Sequence, residues 1–174
     1  AVTPWADTET STTRMEKLPE PGAIVSRREI PELGVSIVRF ANGVEAWFKT
    51  TDFKNDQVLF SIAGSGGTSL AEPDKYPEAQ LATALVGLSG VGGHSAVQLQ
   101  KILAGKIAGA SPFLSLSTQG ISGSSTPANL ETGLQLLNLT FTEPGNDADA
   151  FALIKRQLAA SYANRDNNPN ALFG

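Results

Sequence analysis

The chain contains no cysteine and a single histidine, His94. Without cysteine there are no disulfides, thiol nucleophiles or iron–sulfur clusters, and the absence fits an exported protein as well as an intracellular one. A lone imidazole is just as restrictive, because catalytic zinc usually takes at least two imidazoles or thiolates at about 2.0–2.3 Å. Positive charge is also short. A formal net charge of -4 creates no field that would draw nucleic acid, so no nucleic-acid partner is expected. Apolar runs break within about ten residues, where a membrane span needs roughly 20, so no membrane span is expected. The first residues carry no charged n-region, no apolar h-region and no initiator Met; the chain reads as a piece of something longer.

What is present suffices for a folded domain. The 174 residues, 41% of them hydrophobic, can bury a core without covalent staples. Residues 1–22 mix Thr, Ser, Glu and Pro with few apolar positions, a composition expected of a linker. From Ala23 the signals become regular. Ala23–Arg28 and Val35–Phe40 read as strands around a Pro31/Gly34 turn, and Asn42-Gly43 predicts a hairpin to Val44–Lys49, because both turn residues accept positive φ. Gln57–Ala63 alternates Val58, Phe60 and Ile62 on one face, the period of a half-buried strand.

The period then changes. Ala79, Ala82, Leu85 and Val86 share one face of a helix expected over Pro77–Ser89, with Gly90 as its stop. Ser95 and Gln98 form a candidate capping box for a second helix over Ala96–Ala104. Ile107–Thr118 and Ile121–Ser125 read as strands around Gly120 that extend the sheet. Thr126-Pro127 starts a helix with a stripe of Leu130, Leu134, Leu137 and Phe141, and Ala148–Asn164 carries Phe151, Ile154, Leu158 and Tyr162 on one side. The sum is an α+β domain over residues 23–174, an antiparallel-rich sheet with helices packed on one face.

No cluster of residues along the chain makes a defensible catalytic, cofactor or metal site. His94 and Ser95 are adjacent on a loop, so they do not face each other as base and nucleophile. Gly64–Gly67 is followed by no Lys-Ser/Thr, which a phosphate loop requires. Glu72 and Asp74 precede a helix, where its N-terminal partial charge favours acids without catalysis. Trp47, Phe48 and Phe53 beside Lys49 and Lys54 could stack on a base or sugar, but strand alternation assigns them to core packing. Asn55-Asp56, Asn146-Asp147 and Asp166–Asn168 are turn and cap chemistry, since the calcium-loop spacing is not met.

Several blocks nevertheless form a pattern: Gly34-Val35, Phe40-Ala41-Asn42-Gly43-Val44, Lys49–Asp56, Gly66–Leu70, Gly90–Gly93, Leu99–Lys106 and Phe141–Pro144. Over about Gly22–Phe173 the chain resembles a domain of the insulinase/pitrilysin family of zinc peptidases, most of all the third of the four homologous domains in long bacterial zinc proteases. In such a family the active domain carries His-x-x-Glu-His on its first helix, two imidazoles one turn apart holding zinc and a glutamate activating water. Here the matching slots hold Gln80, Thr83 and Ala84.

The resemblance therefore implies a non-catalytic domain that helps to enclose a peptide. It implies zinc in another domain of the parent and none here, with the parent's other domains and a peptide substrate as partners. It also favours a periplasmic location and a closing helix and strand beyond Asn168–Phe173. The alternative is a non-enzymatic structural or assembly protein on the same domain, for which the parent would carry no intact zinc motif. A third reading, a small-ligand binding module, rests on the Gly-rich loops and Trp47 alone.

Overall fold

The computed structural model describes Met15 and residues 17–164, and no helix among them is long and apolar enough to cross a membrane. Most of the expected linker 1–22 and all of Asn168–Phe173 lie outside the described residues. Two compact units emerge, one over Glu16–Gln57 and the other from Val58 onward.

The first unit is a three-stranded antiparallel sheet in the order β1-β2-β3: β1 (Ile24–Ile30), β2 (Val35–Phe40) and β3 (Glu45–Lys49). Val35 and Ile37 of the central strand are buried. The hairpin occurs where Asn42-Gly43 predicts it, with a different turn. Only Gly43 has positive φ (89°), Gly43 N donates to Phe40 O at 3.0 Å, and Phe40 N donates to Val44 O at 2.9 Å. The loop is thus three residues long with the left-handed position last, where a glycine costs least.

Trp47 and Phe48 of β3 and the following Phe53 are 58%, 56% and 88% exposed, which corrects their expected place in the core. In a three-stranded sheet side chains leave both faces, and Trp47 aligns across β2 and β1 with Ile37 and Arg28. The Arg28 guanidinium covers its ring at 5.7 Å, a contact that tolerates water on the other side.

The second unit has its own antiparallel sheet, β4-β6-β5, from β4 (Val58–Ser65), β5 (Ala108–Leu114) and β6 (Thr118–Ser125). The strands expected to extend one sheet therefore form two three-stranded sheets, and the α+β class with antiparallel strands and helices stands. Gly120 lies inside β6; the turn falls at residues 115–117, where the Ser115 and Thr118 side chains and backbone bond one another. Val58, Phe60 and Ile62 are half-buried as the alternation predicts, while Leu59 between them is 72% exposed.

Four helices complete this unit: α1 (Tyr76–Ser89), α2 (Ala96–Ile102), α3 (Leu130–Thr142) and α4 (Ala148–Ala163). α1 packs on β5, and α3 packs on β5 and β6. The capping box at α2 forms as expected, Gln98 N donating to Ser95 Oγ at 3.2 Å and Ser95 N to Gln98 Oε1 at 2.8 Å. Asp147 caps α4 by accepting from Asp149 N at 2.8 Å. α1 ends at Gly90 (φ 89°), where a Cβ would run into the His94 carbonyl oxygen.

The α3 stripe is a correction. Thr132, Gly133, Leu136, Leu139 and Thr140 are the buried positions, while Leu134 and Phe141 are 47% and 69% exposed. On α4, Ala150 and Ile154 are buried, and Phe151 and Tyr162 of the expected face are exposed. In both helices the buried face includes small residues (Gly133, Ala150), because close approach to a neighbouring element favours low volume over hydrophobicity.

Candidate functional site: a neutral groove beside the first helix

A groove of about 460 Å³ opens in the second unit between the sheet and two helices. Its floor comes from three neighbouring strands, with Ile62, Ile121 and Pro112 in register across β4, β6 and β5. α1 contributes Ala82, Thr83 and Val86 to the walls, and α3 contributes Thr140 and Phe141. Among the described residues no lining side chain is ionisable. The Thr140 hydroxyl already donates to Leu136 O at 2.7 Å, a bond within its own helix.

Chemically, such a surface can receive an uncharged apolar group and offers no general acid, general base or metal ligand. Of the three slots singled out on α1, Thr83 lines the groove, while Gln80 and Ala84 are exposed. The Gln80 amide donates to the Tyr76 hydroxyl at 3.2 Å. Among the described residues no three His, Cys, Asp or Glu side chains gather as a metal site would require. An amide, a hydroxyl and a methyl do not fit zinc, which takes thiolate, imidazole or carboxylate.

The other sequence candidates stay apart from the groove's chemistry. His94 is half-buried in the loop between α1 and α2, its backbone N–H donating to Val91 O at 3.0 Å. In the Gly64–Gly67 segment and the turn that follows it, Gly66, Thr68 and Ser69 spend their N–H groups within the fold, donating to the carbonyls of Ser117, Ser115 and Leu116. An N–H so engaged cannot cradle a phosphate. Glu72 and Asp74 are exposed, and the cap position of α1 is Lys75, without a side-chain cap bond; Glu78 in the first turn pairs with Lys75 at 3.6 Å. Sequence reasoning did not find Ile62, Pro112, Ile121 or Phe141 as groove residues. They come from four elements and share no local spacing.

No family model matches the chain. A curated relative from Arabidopsis thaliana, "Zinc protease PQQL-like", is 27% identical over 173 residues, covering 99% of this chain. The chain spans only 16% of that relative's length. Among solved structures, the periplasmic protease PqqL from Escherichia coli superposes on 99% of this chain with a TM-score of 0.79 and 20% identity, the match covering 19% of PqqL. The ferredoxin protease FusC, solved in complex with Arabidopsis ferredoxin, covers 98% with a TM-score of 0.78 and 19% identity, again over 19% of its own length. The α+β architecture is thus shared with a segment, about one fifth of the length, of each of these two larger proteases.

Proposed function

We propose that this chain, related over nearly its whole length to zinc proteases of the PqqL type, is a domain of an insulinase/pitrilysin-type metalloendopeptidase that lacks the zinc motif and forms part of the wall enclosing the peptide. One observation carries this reading. Where an active domain of that family would hold zinc, α1 carries Gln80, Thr83 and Ala84, and of these Thr83 lines a groove with no ionisable side chain among the described residues. Zinc, and the water it activates for hydrolysis, belong to another domain of the parent. Here the residues contribute shape and apolar surface. The whole of residues 23–174 acts as one such domain, its partners being the parent's other domains and the peptide substrate.

Metal analysis after dialysis tests the reading on the chain itself. No stoichiometric zinc is expected, and roughly one tightly held zinc per chain would overturn it. A parent polypeptide with no His-x-x-Glu-His anywhere would also sink it.

A further inference from the structure

We propose that Asn42 is a site of spontaneous deamidation, poised by the β2–β3 hairpin. Asn42 and Gly43 are both exposed. The Asn42 Oδ1 accepts a hydrogen bond from Val44 N at 3.1 Å, which folds the carboxamide back over the intervening Gly43 peptide. That bond draws electron density from Cγ, the carbon that the Gly43 nitrogen would attack. Gly43 offers no side chain to obstruct the approach, and nothing lies within 4 Å of where its Cβ would stand.

The reaction balances with water as its co-reactant. The Gly43 nitrogen, having given its proton to solvent base, bonds to Asn42 Cγ; the Cγ–Nδ2 bond breaks and the nitrogen leaves as ammonia with a proton. Water then opens the five-membered imide at either carbonyl. The products are aspartate, or isoaspartate with its main chain routed through Cβ, and either adds one negative charge to a chain already at -4. Isoaspartate also inserts a carbon into the loop that joins β2 to β3.

Every other asparagine among the described residues lacks this combination. Asn55 and Asn146 are followed by aspartate, and Asn129, Asn138 and Asn164 by Leu, Leu and Arg. Restraint on Asn42 comes from the hydrogen bond that Gly43 N donates to Phe40 O at 3.0 Å, which must open before attack. The rate therefore reports fraying of the hairpin tip.

The test is to incubate the chain at neutral pH and body temperature, both folded and in denaturant, with peptide mapping by mass and an isoaspartyl methyltransferase assay. Folded protein is expected to gain one mass unit at Asn42 before any other described asparagine, with isoaspartate detected there and lost in Asn42→Gln. Two results would overturn the proposal. One is conversion elsewhere while Asn42 persists. The other is conversion of Asn42 in denaturant alone, which would mean that the bond to Phe40 closes the route.

Discussion

Helices α1 and α3 sit in the same unit and both touch β5, yet they are held in opposite ways. α3 buries five positions along one stripe, whereas α1 buries only Ser89, its last residue. The difference does not lie in hydrophobicity, since residues 79–88 of α1 contain no charged side chain at all. It lies in what faces each helix. Gly133 lets α3 press against the Phe60 ring and Ser125 of the sheet, while the sheet-facing side of α1 borders an open groove. A helix without a polar face is ordinarily covered on several sides, and α1 is covered on few.

The sharpest break in this contrast is a leucine on each helix. Leu139→Ala on α3, where the side chain is 2% exposed, should destabilise the fold by about 2–5 kcal/mol through lost transfer energy and a residual cavity. Leu88→Ala on α1, 43% exposed, should cost less than about 1 kcal/mol in the same chemical denaturation series. Equal losses would refute the account of the two helices. Next in size comes Gly133→Ala. Its Cβ would stand 2.9 Å from the Phe60 ring, so a net loss of about 1–2 kcal/mol is expected despite the helix propensity gained. An increase in melting temperature would show instead that the ring moves freely.

Ser89, the buried residue of α1, accepts a hydrogen bond from Asp147 N at 3.0 Å and so ties the end of α1 to the start of α4. Ser89→Ala should cost about 1 kcal/mol and speed amide exchange at Asp147 first, because the donor is left without its acceptor. Smallest of all is Ser125→Ala. Ser125 is 2% exposed and its hydroxyl has no hydrogen-bond partner among the described residues, so its removal should be neutral or stabilising by a few tenths of a kcal/mol. A clear loss in denaturant midpoint would reveal a partner for that oxygen.

Sequence legibility followed the range of the interaction. The Ser95/Gln98 box, the Asp147 cap, the Gly90 stop and the hairpin at Asn42-Gly43 were readable, because each is decided within a few residues. The buried faces of α3 and α4 were not. Following the large apolar residues selected Leu134 and Phe141, while packing selected Gly133 against the sheet and Leu139 against the Gly92 loop. Likewise the three aromatics Trp47, Phe48 and Phe53 read as core, although Trp47 and Phe48 sit on the edge strand β3 and Phe53 in the loop after it, and all three are exposed.

By itself the sequence determined the order and type of the elements and the chemistry available to them. One histidine, no cysteine and a first helix bearing Gln80, Thr83 and Ala84 limit what α1 can coordinate, whatever the fold. Only the tertiary structure decided that the strands divide into two sheets, and that Ile62, Ile121 and Pro112 line up beneath Thr83 and Phe141 to leave a neutral groove. The reason is physical. Covalent order and side-chain chemistry are local properties of the chain, whereas a groove is a volume left unfilled by elements distant in sequence, and no residue carries it alone.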